Sequence, residues 1–536
     1  MKKTRFPFSQ SGYITKLMND YLTGDEKLKP FYSLAPSLTS LEEAMKKKSE
    51  QPLDRKLLQS ILHMQYSGIE LTNEEKKSIE LISSPKTFSV TTAHQPNLFL
   101  GPLYFIIKTV SAITLAKEFK KHKPENNFIP VFWLGSEDAD VAELNHIHLF
   151  GKKLEWNPNQ SGSFGRMKTD SLKNVLEELK TICGNSTYGN ELMDLFEDAY
   201  LKHDSIKEAT RFLLHKLFGN EGLLVIDGDD AQLKNIFSNV MKDELLNATS
   251  KKLVSETIAE LEKNYEAQAQ PRDINLFYLK ENLRERIVKE GEKFSIVNSE
   301  IVFSESEILA ELINNPERFS PNVILRPLFQ EMILPNVAFV GGMSEVSYFM
   351  EMKLLFANYH ISFPMIFQRD RLVWVDSATK NKWEKLGFSE EDLFLSIDEL
   401  NKKFVLSCKD PFGKKQGENI SLEKEKQELE KIFSQVKSKA EAIDKSLAAN
   451  VEAEKAKQIS ALQNLEQRML KAEKKKQETS LQSIQSVKEK LFPESGLQER
   501  HESFIPLYLK HGSDFIKILL AELNPLEFSF TVLTEE

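Results

Sequence analysis

"SVTTAHQPNLFLGPLYFIIKTVSAITLAKEF", residues 89–119, is the stretch that decides the fold. A short apolar run ends in His94, Gln95, Pro96 and Asn97, and Gly101-Pro102 then leads into helical spacing. Pro96 restrains Gln95 toward extended geometry, and a helix start is expected near Pro102 or Leu103. The stretch reads as strand, loop and helix. In open α/β sheets ligands bind at the carboxyl ends of strands, and a helix amino terminus there offers N–H groups to a phosphate or carboxylate. His94 and Asn97 would add a switchable donor and a neutral amide. The bland alternative is a turn in which His94 caps and Asn97 bonds its own backbone.

Working outward, "TFSVTTA", "FIPVFWLG" and "GLLVIDGD" alternate with helical segments over residues 87–230, the texture of an α/β unit with a largely parallel sheet. Residues 1–86 read as a helical segment, with Ser40 and Glu43 spaced as a capping box. Residues 231–320 read as a helical insertion. Residues 321–416 return to strand texture and are expected to complete the same sheet. Between Gly417 and Pro493 there is neither Gly nor Pro. Leu422, Leu429, Val436 and Ile443 fall seven apart there, with Ile432, Ala440 and Leu447 between them, which is a coiled-coil seam. A looser seam follows from Ile459 to Val487. A reversal near Ala448–Val451 would give two arms of roughly 45 Å at about 1.5 Å per residue, pairing either within the chain or across a dimer. Residues 494–536 are expected to pack on the core.

At 536 residues the chain is long enough for two or three units. Its net charge of −9, with both signs interspersed, leaves no basic field for nucleic acid. Apolar runs fall short of a membrane span, and the first twenty residues lack a signal-peptide apolar run. Cys183 and Cys408 are too few for a disulfide framework or a Cys-rich metal site, which suits a cytoplasmic location.

Two further constellations join the opening loop. "FIPVFWLGSEDADVAELNH" runs a strand into Glu137, Asp138 and Asp140, then Glu143, Asn145 and His146. Carboxylates so close repel unless a cation, an ammonium group or a shared proton relieves them. They could hold Mg²⁺, bind a substrate amine or act as general base on it. In "ILRPLFQEMILPNVAFVGGMSEVSYFM", Arg326, Gln330 and Glu331 precede a strand ending in Gly341-Gly342, with a helix expected from Ser344 or Glu345. Arg326 and Arg369 can grip phosphate or carboxylate bidentately. No Gly-x-x-x-x-Gly-Lys-Ser/Thr loop, strand-linked Gly-x-Gly-x-x-Gly, nucleophile elbow or HExxH helix is present. The candidate catalytic residues are His94, Glu137, Asp138 and Asp140. The candidate substrate or nucleotide contacts are Gln95, Asn97, Gly101, Asn145, His146, Arg326, Gln330, Glu331, Gly341, Gly342, Glu345 and Arg369. The residues alone reach an α/β enzyme without a named substrate.

"TTAHQPNLFLGPLYFIIKTVSAITLAKEF", "PVFWLGSEDADVAELNH", "RPLFQEMILPNVAFVGG", the coiled-coil arm and the closing "LQERHESFIPLYLKHGSDFI" together resemble the bacillithiol biosynthesis cysteine-adding enzymes, also called cysteine ligases, over essentially the whole chain. The resemblance implies a Rossmann-like core with helical insertions, akin to class I aminoacyl-tRNA synthetases, and a coiled-coil domain supporting a homodimer. It implies a carbon–nitrogen ligase that joins cysteine to the amine of glucosamine malate, with ATP or another nucleotide activating the carboxylate. It also implies that His94 to Asn97, spaced like the His-x-x-Asn loop of that superfamily, meet the nucleotide phosphates. The family's acidic loop usually reads Glu-Asp-His-Asp, whereas Ala139 stands in the histidine place here, and Met343-Ser344 replace a stretch usually richer in Gly or Pro. If that histidine carries a proton, a slow, altered or inactive protein is expected, down to a non-catalytic scaffold. If it only packs, nothing follows. A nucleotidyl-transferring enzyme with another acceptor is the third reading.

Overall fold

The computed structural model describes residues 1–408, 417 and 420–536 of the chain. The junction expected at 416/417, between the second part of the core and the coiled-coil arm, lies outside the described residues. Two compact units are present: residues 5–372 with 499–531, and residues 373–498 with the two chain ends. The core unit thus ends at Leu372, well before 416, and takes most of the C-terminal segment with it.

In the larger unit, β1 (Thr87–His94) leads through α1 (Tyr104–His122) to β2 (Asn127–Leu134), and β3 (Leu224–Asp227) and α2 (Ala231–Asn247) follow after a helical stretch. Next come β4 (Leu276–Lys280), β5 (Leu283–Glu290), β6 (Lys293–Ile296), β7 (Val302–Ser304) and β8 (Phe319–Pro321), then α3 (Arg326–Ile333), β9 (Asn336–Gly341), α4 (Met343–Glu351) and β10 (Met365–Gln368). The core sheet has the order β10-β9-β1-β2-β3, and every pair in it is parallel. The chain therefore starts in the centre, builds outward to β3, and returns to the other side of β1 as β9 and β10. This is the doubly wound, Rossmann-like order, with its switch point between β1 and β9.

Both faces of the sheet are covered. Phe88 and Val90 of β1 and Ala338 and Val340 of β9 face a core shared with Ala112, Leu115 and Phe119 of α1. Ile129, Val131 and Trp133 of β2 and Phe339 of β9 face the opposite core, with Phe237 and Met241 of α2. Period-two alternation between two apolar cores explains why the strands read as continuous apolar runs. The polar members of β1 are satisfied internally: Ser89 and Thr91 donate to Asn336 Oδ1 at 3.3 and 2.8 Å, and Thr92 donates to the Val340 carbonyl.

Several expectations give way. Residues 231–320 are only partly helical, because β4 to β8 form a five-stranded antiparallel sheet of order β7-β6-β5-β4-β8. The run "ILRPLFQEMI" holds helix α3 rather than strand, and Arg371–Val375 pairs in a separate sheet instead of extending the core. The first 86 residues include the strand Lys2–Pro7, and Ser40 makes no side-chain cap to its helix, since its hydroxyl bonds Ser37. Helix α1 begins at Tyr104, one or two residues after the expected start.

In the smaller unit α5 (Glu423–Ile443) and α6 (Leu447–Lys476) form an antiparallel hairpin, followed by α7 (Glu478–Leu491). The reversal falls at residues 444–446, ahead of the expected Ala448–Val451. Pairing within the chain is set by Lys437 with Glu452 at 3.1 Å and Lys426 with Glu466 at 2.8 Å. Leu422, Leu429, Ala440 and Leu447 are half-buried, whereas Ile432, Val436 and Ile443 of the expected seam are 55%, 44% and 82% exposed. The apolar stripe is wider than the internal seam uses. Among the described residues no helix is long and apolar enough to cross a membrane.

Candidate active site

A cavity of about 560 Å³ opens at the carboxyl ends of β1, β2 and β9, over the switch point. It is within the size range of small-molecule sites. His94, Gln95, Glu137, Asp138, Glu143 and Arg326 line it, as do Gly342, Glu345 and Arg369. The three loops singled out in the sequence thus meet in one place. Their contacts are direct: Gln95 Nε2 donates to Asp138 Oδ2 at 3.0 Å, joining the first loop to the second.

Beneath the cavity Lys108, the one charged residue in the buried first three turns of α1, reaches two loops at once. Its Nζ donates to the Ala93 carbonyl at 2.6 Å and pairs with Glu345 at 2.5 Å. Glu345 also accepts the Gly342 N–H at 2.8 Å, capping α4. Burial pushes the Lys108 amine down and Glu345 pulls it back. Burial also acts against the Glu345 carboxylate, but Lys108 and the Gly342 N–H outweigh it and hold its pKa below the usual range. Gly341 is needed for space: a Cβ there would lie 2.9 Å from Glu345 Cβ and from the Phe339 ring.

His94 is a neutral imidazole. The Gln95 carbonyl can only accept, so Nδ1 carries the proton to it at 3.1 Å, and Nε2 accepts from the Tyr104 hydroxyl at 2.8 Å. Burial, aided by Lys108, pushes the His94 pKa down to about 4. In this geometry it holds the Tyr104 hydroxyl at the cavity wall. The amino terminus of α1 is also occupied, since the Leu103 N–H donates to the Glu502 carbonyl at 2.7 Å. One N–H at that helix end, where phosphate binding is expected from the sequence, is thus taken by the C-terminal segment. Asn97 is buried outside the lining, against Gly101, whose φ of +60° and lack of a Cβ admit it; an added Cβ would sit 2.7 Å from Asn97 Cβ.

The acidic loop finds its cations within the protein. Glu137 pairs at 2.6 Å with Lys234 of α2, which is fully buried and also pairs with Asp229 at 3.0 Å. Burial works against the Lys234 charge, yet Glu137 and Asp229 outweigh it and hold its pKa above the ordinary value. Burial pushes Glu137 up and Lys234 counters it. Asp229 is gripped in turn by Arg166. Asp138 lies 3.5 Å from Arg284, which stacks 3.9 Å from the Phe277 ring centroid. Among the described residues no group of three or more His, Cys, Asp or Glu is placed for a metal.

Other candidates lie elsewhere. Asp140 is an exposed N-cap that accepts the Glu143 N–H. Asn145 ties a hairpin through the Trp156 carbonyl, and the His146 ring packs on His148, both outside the lining. Gln330 and Glu331 are fully buried below the cavity. Gln330 Oε1 accepts from Arg326 at 3.0 Å, while Glu331 binds Gln330, Asn336 and the buried Lys48. Both carry structure rather than substrate contacts. Ala139 lies outside the lining too. Arg369 faces the cavity, but its guanidinium is held by Glu499 at 2.8 Å. Arg326 bonds Gln330 and the Tyr348 hydroxyl and has no carboxylate partner among the described residues. Sequence reasoning missed Lys108, Lys234, Arg272, Arg284 and Arg500; a lone lysine in the apolar run "FIIKTVSAI" was the only local signal for any of them.

Comparison with known proteins gives two family matches. Residues 1–370 match the family described as bacillithiol biosynthesis BshC, N-terminal Rossmann-like domain, and residues 372–535 its C-terminal coiled-coil domain. Relatives named "Putative cysteine ligase BshC" include one from Flavobacterium johnsoniae, 42% identical, and one from Flavobacterium psychrophilum, 41% identical, each over 98% of both chains. One from Cytophaga hutchinsonii is 38% identical over 97% of this chain and 96% of its own.

The neutral state of His94 has a measurable sign. The unfolded chain takes up a proton near the ordinary pKa of 6.5, and the folded chain only near 4. The stability His94 contributes is whole above 6.5 and is lost as pH falls toward 4. Thermal melting across that window should show wild type losing Tm relative to His94→Gln as pH drops; a constant difference contradicts it.

Proposed function

Because this chain belongs to the bacillithiol biosynthesis BshC family, we propose that it joins L-cysteine to the amine of glucosamine malate, the last step of bacillithiol synthesis, with nucleotide-dependent activation of the cysteine carboxylate. Membership carries with it a role in bacillithiol biosynthesis and a ligase activity; the step, the substrates and the nucleotide are what we propose. The observation that carries the reading is the convergence of Glu137, Asp138 and Arg326 on one cavity at the switch point. A carboxylate does not condense with an amine in water unaided. One carboxylate oxygen first bonds to phosphorus and displaces the nucleotide's leaving group. The amine nitrogen then attacks the acyl carbon, the carbon–oxygen bond to phosphate breaks, and the amine gives up a proton.

The cavity has a residue for each demand. Glu137 and Asp138 offer carboxylates to an ammonium group and accept its proton as it becomes a nucleophile. Arg326, whose charge no carboxylate among the described residues claims, is suited to a malyl carboxylate. Arg369 and Arg500 also line the cavity, with Arg369 centred 5.3 Å from the Tyr104 ring, and supply positive charge for phosphate. Ala139 lies off the lining while the charged set around it is intact, so an active enzyme is favoured over a scaffold.

We also place a homodimer on the coiled-coil arm, through the exposed stripe of Ile432, Val436 and Ile443 that the internal hairpin leaves open. Sedimentation should give twice the 61.6 kDa chain mass and revert toward one chain in Val436→Glu; a monomeric wild type contradicts this.

Purified protein supplied with cysteine, glucosamine malate and ATP should form bacillithiol by mass spectrometry. Glu137→Gln should lower kcat/KM by roughly 10²-fold, the scale of one general acid–base group. No product with any nucleotide from folded protein overturns the ligation.

A further inference from the structure

The sheet β4–β8 and the segment before it form a wall of the cavity that belongs to none of the three loops. Arg272, Ser320 and Asn322 line it there, facing the same space as Arg326. Ser320 is fully buried, and its hydroxyl has no hydrogen-bond partner. Buried polar groups are nearly always partnered, so an orphaned hydroxyl on a cavity wall points to a ligand atom. Arg272 and Arg326 both lack a carboxylate partner among the described residues, whereas Lys108, Lys234, Arg284 and Arg369 each have one.

These groups are held in register from behind. Asn275, fully buried, accepts at one oxygen the Arg272 N–H at 3.0 Å and the Asn322 side-chain amide at 2.9 Å. The Asn322 carbonyl in turn accepts the Arg326 N–H at 2.9 Å, starting α3. Asn275 is fixed by the buried Glu244 of α2, which accepts its backbone and side-chain N–H groups at 2.8 and 3.0 Å. The buried carboxylate of Glu351 binds the Gln268 and Ala269 N–H groups and anchors the segment leading to Arg272. One amide thus ties two arginine-bearing loops together. The guanidinium of Arg326 is set further by Gln330 and Tyr348.

We infer that Arg272, Arg326 and Ser320 form an oxyanion subsite, with Asn275 as its positioning residue, that accepts a carboxylate or phosphate group of a substrate. Two guanidinium groups suit a doubly charged or bidentate oxyanion, and the hydroxyl donates to one of its oxygens. Under the proposed reaction, on which the identity of the substrate rests, the group is a carboxylate of the malyl moiety or a nucleotide phosphate. The subsite itself stands on the geometry.

Isothermal titration of the full chain with malate and with inorganic phosphate separates these sources without relying on turnover. Affinity for one of the two anions should fall at least tenfold, equivalent to about 1.4 kcal/mol, in Arg272→Gln and in Arg326→Gln, and by a smaller factor in Ser320→Ala. Loss confined to malate assigns the acceptor carboxylate, and loss confined to phosphate assigns the nucleotide. Arg272 is exposed at the rim, so Arg272→Gln carries the test if Arg326→Gln fails to fold. Wild-type protein that binds neither anion, or variants that bind both unchanged, overturns the subsite. Anion binding lost in the variants while wild type makes no bacillithiol would keep the subsite and refute the ligation.

Discussion

The ion pair between Lys108 and Glu345 is the contact on which the cavity depends. It spans the switch point, where β1 and β9 send their following helices in opposite directions, and binds the first helix to the cap of the second. Lys108 also holds the last turn of β1 through the Ala93 carbonyl. The floor of the cavity is therefore a charge pair whose ammonium is buried and whose carboxylate is 20% exposed. Removing Glu345 would leave Lys108 charged and buried, which generally costs about 3–5 kcal/mol. Gly341 permits the close approach, since any side chain there would meet Glu345.

From that floor the remaining polar groups form continuous chains. Arg326 is bonded to Gln330, Gln330 to Glu331, Glu331 to Asn336, and Asn336 to Thr91 in β1, with Lys48 balancing the carboxylate. On the other side Glu137 is joined to Lys234, Lys234 to Asp229 and Asp229 to Arg166. Fully connected networks fix side-chain geometry, which a site needs when its ligand is small and charged. Arg272 and Arg326 carry charge that these chains leave unmatched.

Strands β2 and β3 were legible because parallel strands buried on both faces are largely apolar, as "FIPVFWL" and "LLVID" are. The same rule hid the β4–β8 sheet. Its strands are half-exposed, and "LRERIVKE" is dense in charge on both faces, which mimics a surface helix; the left-handed Asn282 and Gly291 were the turn signals at its ends. The three loops were legible as strand ends, and the structure brings them to one cavity. Misplaced were residues whose partners are distant in sequence: Glu331 bonds Lys48, and the start of α1 is closed by Glu502. No local pattern encodes such partners. The coiled-coil seam was legible from its heptads, but which half of the stripe faces its own chain depends on where the turn falls.

A crystal structure of the protein with glucosamine malate bound tests the account most directly. It should show the ligand in the cavity above the Lys108–Glu345 pair, with its amine toward Glu137 and Asp138 and a malyl carboxylate on Arg272 or Arg326. Ligand bound away from the ends of β1 and β9, with this cavity empty, would contradict it.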